Sequence, residues 1–303
     1  MTTARLPWRR QRRRFALTAV TAVVMVAAVT VATARSTAPP IGAAAGAPPA
    51  AVATRRLLAS LVRPDRTAEQ SARQTATHPA VAPAPVGALF ASGSGNHYCS
   101  GSVVQSPHGD VVMTAAHCIS GNGTNDVFVP SYDDGRAPYG RWRVVAAYAA
   151  PPWRSAQDPQ DDVAFLVVAP QRIGGRMLQI QQVTGGYLLS TAPNTGARVT
   201  VVAYAAGNDD APLRCAPWVY WHQGFPAFAC AGYPGGTSGG PWLTVAPGRT
   251  DTVDGIIAGL HQGGCRTGVS YSPAFGATVR AVYQAAVDRA PAETLPAPGS
   301  DGC

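Results

Sequence analysis

The chain contains no lysine, so all 24 of its basic side chains are arginine. Their placement matters more than their number. Residues 1–85 hold 12 arginines against Asp65 and Glu69, a balance of +10, whereas residues 86–303 hold 12 against 14 acids, a balance of −2. The net charge of +8 therefore belongs to the front segment. Beyond it there is no basic run and no nucleic-acid motif, so no nucleic-acid partner is expected. Charged residues make up only 13% of the chain and hydrophobic ones 46%, a composition that allows a core. No C-x-x-C or C-x-x-H spacing occurs, so zinc is not expected, and nothing asks for another metal or an organic cofactor. No internal repeat of solenoid period is present.

What the sequence has in abundance is turn formers: 32 glycines and 27 prolines in 303 residues. They point to a loop-rich fold rather than a helical bundle, and the length fits one or two domains at roughly 100–200 residues each. Arg9, Arg10, Arg12, Arg13 and Arg14 precede an uncharged stretch over residues 15–34, and Ala32-Thr33-Ala34 fits the small-x-small cleavage rule. Residues 1–34 thus read as an export signal. The stretch also approaches the ~20 residues that span a bilayer, which leaves two outcomes, a cleaved signal with a secreted product or an anchor that holds the protein outside the membrane. Six cysteines in an exported chain argue for disulfides: Cys99, Cys118, Cys215, Cys230, Cys265 and Cys303. Residues 35–85, punctuated by Pro39-Pro40, Pro48-Pro49 and Pro83-Ala84-Pro85, read as a flexible linker or as a propeptide.

From residue 86 the texture changes. Short runs rich in Val, Ala and Tyr alternate with Gly, Pro, Asn and Asp clusters, with candidate strands at 98–105, 111–115, 141–149, 163–168, 197–206, 242–245 and 255–260. Many short strands with turn signals between them indicate an all-β sandwich or barrel. One segment, 275–289, places Val279, Val282, Tyr283 and Ala286 at helical spacing and stops before Pro291. The tail, 291–303, should be loosely ordered unless Cys303 ties it down.

Three segments carry chemistry: Thr114-Ala115-Ala116-His117-Cys118, Asp161-Asp162-Val163-Ala164-Phe165-Leu166 and Gly235-Gly236-Thr237-Ser238-Gly239-Gly240-Pro241. Singly each has an ordinary structural explanation, since a His after a strand, an Asp before one and a Gly-rich turn are all common. Together they match a specific need. A serine hydroxyl is a weak nucleophile until an imidazole takes its proton, and that imidazole needs a carboxylate to fix its tautomer. Glycines beside the serine let amide N–H groups turn inward, so Gly236 and Ser238 are candidates to hold an oxyanion.

These segments resemble those of trypsin- and chymotrypsin-like serine peptidases, which carry a T-A-A-H-C box and a G-x-S-G-G-P box, and in particular the bacterial secreted branch. The resemblance covers about residues 86–290. It implies two six-stranded antiparallel β-barrels followed by a C-terminal helix, a triad of His117, Asp162 and Ser238, and a peptide or protein substrate cut by a monomer. Asp162 is preferred to Asp161 because it directly precedes the apolar strand. The resemblance also implies a Cys99–Cys118 disulfide beside the histidine. Cys215 with Cys230 and Cys265 with Cys303 follow from closeness in sequence and elimination. A catalytically inactive binding module on the same scaffold is the competing class, but it would need none of the three reactive groups.

The sequence also departs from the family. Trypsin-like zymogens have an Asp before the nucleophile that pairs with a newly cut N-terminal amine; here that residue is Thr237, and no Ile-Val-Gly-Gly start is present. Six residues before Ser238 stands Gly232, where digestive trypsin has an Asp, so basic side chains have no partner there. Ile257-Ala258-Gly259-Leu260-His261-Gln262-Gly263-Gly264 resembles the pocket strand of bacterial glutamyl endopeptidases, which makes His261, Gly263 and Gly264 candidate substrate-binding residues. His261 would receive a substrate carboxylate, or serve only as a wall of a neutral pocket.

Overall fold

The computed structural model describes residues 75–93, 95–192, 195–206, 211–245, 251–264, 268–292 and 294–299. The expected export signal, Cys265 and Cys303 lie outside the described residues. Among those described, no helix is long and apolar enough to cross a membrane.

The first half closes into an antiparallel barrel. Its strands run around the barrel in the order Val86–Ala91, Cys99–Val104, Val111–Thr114, Ala164–Val168, Trp142–Ala149 and Asp126–Pro130, and the last pairs back to the first through Gly87 and Pro130. Alternate residues serve two cores. Leu89, Val103, Val112, Phe128, Trp142 and Leu166 form one cluster drawn from all six strands. Their neighbours Phe90, Val104, Val111, Met113, Phe165 and Val167 form another, together with Val202, Tyr204, Leu243 and Ile256 of the second half. Val111–Thr114 is buried on both faces, which explains why Val111, Val112 and Met113 read as an unbroken hydrophobic run, whereas Trp142–Ala149 alternates with the exposed Arg143 and Val145.

The second half consists of two sheets. Six strands follow the order His78–Pro79, Pro212–Cys215, Thr200–Tyr204, Pro241–Thr244, Thr252–Ile256 and Leu188–Leu189; three more, Val219–His222, Phe225–Ala229 and Val269–Tyr271, form the other. The expectation of a second six-stranded barrel thus meets an open six-stranded sheet with a three-stranded partner. Val201, Ala203, Val219, Phe228, Tyr233, Trp242 and Ile257 fill the core that the two sheets share. The rings of Phe228 and Trp242 meet edge to face at 4.8 Å. The Cys215–Cys230 disulfide joins the ends of strands from the two sheets.

The helix expected at 275–289 runs from Ala277 to Val287, with Val279, Val282 and Ala286 buried. Two hydrogen bonds and an ion pair dock it on the first barrel. Tyr283 Oη donates to Gln105 O at 2.8 Å and Tyr148 Oη to Ala290 O at 2.9 Å, while Arg289 pairs with the buried Asp110.

Both ends of the fold extend beyond 86–290. In the segment assigned to linker or propeptide, His78 and Pro79 pair with Arg214 and Leu213. Thr77 N–H donates to Ala231 O at 2.8 Å, and Ala231 N–H to Thr75 O at 3.0 Å. At the other end, Leu295 is buried. Neither contact is local in sequence, so composition alone could not show it.

The Cys99–Cys118 bridge forms as expected. It spans 19 residues, and in the chain-entropy model a loop of that length contributes on the order of 3 kcal/mol. Beside it Tyr98 faces Asp126. Burial pushes the Asp126 carboxyl up from 3.8 to about 6, with the Tyr98 phenol acting in the opposite direction. A folded protein that keeps this proton where the unfolded chain has released it loses stability as pH rises from about 4 to about 6. Asp126→Asn should therefore flatten the stability curve across that window and gain most over wild type above it. Urea unfolding at intervals of about one pH unit measures the slope; identical slopes in the two proteins would contradict the assignment.

Candidate active site

His117 sits in a short 3-10 turn, Ala116–Cys118, directly after the strand Val111–Thr114. Asp162 follows another such turn, Pro159–Asp161, capped by the Asp158 side chain. The two meet twice. His117 N–H donates to Asp162 Oδ1 at 2.9 Å, and His117 Nδ1–H donates to Asp162 Oδ2 at 2.7 Å. A third donor arrives from the second half, where Gly259 N–H reaches Asp162 Oδ2 at 2.9 Å. Asp162 is fully buried, and these three donors supply the hydrogen bonds that a desolvated carboxylate requires. With Nδ1 committed as a donor, Nε2 is left as the acceptor. Asp161, by contrast, is half-buried, and burial together with Asp158 raises its pKa.

The serine loop is braced from several sides. Ser100 N–H donates to Ser238 O at 2.7 Å, and Ser100 Oγ donates to Gly236 O at 3.1 Å while accepting from Tyr204 N–H at 2.8 Å. Gly239 N–H donates to Ile257 O at 2.7 Å, and Ile257 N–H returns to Gly240 O at 3.0 Å. Thr237 Oγ1 donates to Pro234 O at 2.7 Å, so the residue that replaces the zymogen aspartate closes the loop on itself. Ser100 is bonded in sequence to Cys99, and Cys99 through the disulfide to Cys118, which follows His117. The loops of His117 and Ser238 are thus joined through one strand and one cystine.

Gly239 shows how closely they pack. It has a φ of +80°, and a Cβ there would lie 2.2 Å from Ser100 O and 2.3 Å from Thr114 Oγ1. Among the described residues, no acceptor takes the N–H of Gly236 or of Ser238. Two free donors flanking a partly exposed serine can receive an oxygen that gains negative charge. The Ser238 hydroxyl has no hydrogen bond among the described residues, including none to His117 Nε2. Contacts of this kind are often long in substrate-free sites and tighten when substrate binds.

The pocket segment differs from expectation. The strand placed at 255–260 lies at Thr252–Ile256, and Gly259 turns with a φ of 82°. His261 and Gln262 occupy left-handed conformations, φ 53° and 49°, within the short turn Leu260–Gly263, rather than a strand. Gly263 is buried and Gly264 packs closely against Val269. At Gly232 the chain has a φ of +104°, and a Cβ would meet Thr77 Oγ1 at 2.2 Å. The His117 ring and the sulfurs of Cys99 and Cys118 lie within 4.8 Å of one another. A cystine offers no thiolate, so they do not form a metal site.

Sequence reasoning passed over three contributors: Ser100, the Gly259 amide and Thr77. Ser100 shares its buried strand with Ser102, so residue type alone did not single it out, and the other two act through contacts that only the fold brings about.

A model of the trypsin-like peptidase domain matches residues 99–250, about half of the chain. The chain is similar in structure to the protease Anisep from Arthrobacter nicotinovorans, with 26% identity and a TM-score of 0.59, covering 70% of this chain and 99% of that one. It is also similar to the thermostable serine protease AL20 from an extremophilic microorganism, with 25% identity and a TM-score of 0.56 over 68% and 97% of the two chains. A Glu endopeptidase shares the fold at 15% identity and a TM-score of 0.53, over 71% and 98%. No curated protein matches the sequence.

Gly239→Ala should cost about 2–4 kcal/mol, from overpacking plus a left-handed backbone. Gly235→Ala, at an exposed position with nothing within 4 Å of the new Cβ, should stay within about 0.5 kcal/mol of wild type. Denaturant unfolding of the pair measures the contrast, and equal stabilities would show that the loops are not packed as described.

Proposed function

This chain belongs to the trypsin-like peptidase family, and we propose that it is a secreted serine endopeptidase with Ser238 as nucleophile, His117 as general base and Asp162 as the group that orients it. The observation that carries the reading is the pair of hydrogen bonds from His117 to the buried Asp162, at 2.9 and 2.7 Å, close to a serine loop whose Gly236 and Ser238 amides are unengaged.

In the proposed reaction Ser238 Oγ attacks the scissile carbonyl carbon while His117 Nε2 takes the hydroxyl proton. The carbonyl oxygen becomes an oxyanion held by the N–H groups of Gly236 and Ser238. As the C–N bond breaks, His117 passes the proton to the leaving amine and an acyl-enzyme remains. Water, deprotonated by His117, then releases the acid and restores Ser238. Asp162 stays ionised and stabilises the imidazolium that forms at each step.

The scaffold in this reading is a two-barrel peptidase, with the two sheets of the second half serving as the walls of the second barrel and the helix Ala277–Val287 closing the domain. Maturation removes residues 1–34 and part of the segment that follows. The contacts of residues 75–79 with Ala231, Leu213 and Arg214 support retaining that stretch in the mature enzyme.

A serine-directed phosphonate should label the wild-type protein and inactivate it. Ser238→Ala should fold, resist labelling and lose more than about 10³-fold in kcat/KM. A folded wild-type protein that neither reacts nor cleaves would leave the scaffold as a binding module.

For specificity, an acidic side chain that enters an enclosed pocket loses its hydration and needs a donor in return. Gly232 brings no charge, and His261 is the ionisable donor on the proposed wall. A pocket that reads carboxylates through His261 gives higher kcat/KM for Glu than for Gln before the cleaved bond, and His261→Ala should remove most of that difference while sparing neutral substrates. Matched peptides decide the matter, since Glu no better than Gln would establish a neutral pocket with His261 as scaffold.

A further inference from the structure

The segment expected to be loose after the last helix is instead woven into the loops around the site. Leu295 is only 2% exposed and belongs to the cluster of Ile119, Ala147 and Trp153. Its backbone exchanges two hydrogen bonds with Gly121, from Gly121 N–H to Leu295 O at 3.0 Å and from Leu295 N–H to Gly121 O at 2.7 Å. Further along, Gln157 Nε2 donates to Ala297 O at 2.6 Å. Gln262 Nε2 donates to Gly299 O at 2.9 Å. Gly299 passes so close to Gln157 that a Cβ would lie 2.3 Å from Gln157 Oε1.

Each of these partners stands beside a residue of the site. Gly121 is four residues past His117, Gln157 five before Asp162, and Gln262 next to His261. The three loops come from distant parts of the chain, and one short stretch of backbone touches all of them. At its far end it holds Gln262, which together with His261 has a left-handed φ. Residues with a Cβ keep such a conformation only where their surroundings impose it. The Gln262–Gly299 hydrogen bond is one such constraint. The docking of Leu295 on Gly121 fixes where the Gly299 carbonyl stands.

We propose that residues 294–299 form a specificity-determining strap, which sets the His261 turn of the substrate pocket through Gln262 and registers it against the His117 and Asp162 loops through Gly121 and Gln157. Gln157 and Gln262 are positioning residues in this device. It rests on the reading of the protein as a peptidase with His261 on the pocket wall. The strap acts on substrate placement rather than on the reactivity of Ser238, because its contacts end at the flanking loops and, among the described residues, none of its hydrogen bonds reaches the serine loop.

The test uses the exported, processed protein and three variants: Gln157→Met, Gln262→Met and a chain stopped after Ala292. Methionine keeps the length of glutamine and removes its donor. Each substitution should raise KM for peptide substrates about three- to tenfold, as expected for a lost hydrogen bond, and leave kcat within about twofold. The rate of reaction with a small serine-directed phosphonate should not change. Amide exchange should quicken over residues 259–264 in all three variants, and at Gly121 in the shortened chain. Unchanged KM and unchanged exchange would overturn the proposal. Higher activity in the shortened chain would also overturn it, because the segment would then be an inhibitor lying in the substrate path. Should the shortened chain fail to fold, the two methionine variants decide alone. If the wild-type protein neither cleaves peptides nor takes the phosphonate, the peptidase reading fails, and exchange over 259–264 still reports whether the strap holds the turn.

Discussion

A carboxylate taken wholly out of water must have its oxygens filled by donors, and Asp162 takes them from both halves of the molecule. Two come from the first barrel, through the backbone and the ring of His117, and one from the second half, through Gly259. No single element can satisfy the group. The turn at Pro159–Asp161 delivers it, the turn at Ala116–Cys118 orients the ring, and Gly259, at the turn that follows the strand Thr252–Ile256, brings the third N–H. Losing any of these leaves a buried charge short of a partner, which costs several kcal/mol. The imidazole is therefore held in one tautomer by the same contacts that hold the two halves in register.

The serine loop obeys the same logic with neutral groups. Its carbonyls are taken up by Ser100 N–H and Ser100 Oγ, and its amides at Gly239 and Gly240 by Ile257 and Thr237. Among the described residues, the buried Gly236 and the partly exposed Ser238 keep amides that no acceptor takes. In the proposed reaction, a loop with two such donors suits charge that appears only in the transition state, since the donors need not reorganise at that moment.

Much of this was legible in the sequence. The three boxes stand out because each residue type has a chemical reason to be there, and the strands at 111–115, 141–149 and 163–168 carry runs long enough to read. Asp126–Pro130, Pro212–Cys215 and Val269–Tyr271 escaped notice for physical reasons. They are three to five residues long, too short for a period of two to register, and Pro212–Cys215 opens on a proline and carries an exposed arginine. The run from Gly255 to Leu260 misled in the opposite sense. It is apolar enough for a strand, but Gly259 breaks the extended path with a positive φ, so the pairing ends at Ile256. The ends of the domain were illegible because residues 75–79 and 294–299 owe their order to distant partners, from Gln262, 37 positions before Gly299, to Gly121 and Ala231, more than 100 positions away.

The exchange of an aspartate for Thr237 has a consequence for how the site is assembled. Where an aspartate precedes the nucleophile, a charged amine must be delivered to it before the oxyanion amides take their places, and the loop is incomplete until a peptide bond has been cut. Thr237 removes that dependence, because its hydroxyl is already satisfied by Pro234 O within the same loop. The front segment makes a different contact. Through Thr75 and Thr77 it pairs with Ala231, and Thr77 Oγ1 donates to Gly232 O at 3.3 Å. It thereby supports the stretch between the Cys215–Cys230 disulfide and the serine loop. Such a contact is made by backbone and hydroxyl groups that do not titrate near neutral pH, and it needs no new chain terminus. The geometry of the loop is then a property of the folded chain itself, and in the proposed reading a cut upstream of Thr75 serves release rather than formation of the oxyanion site.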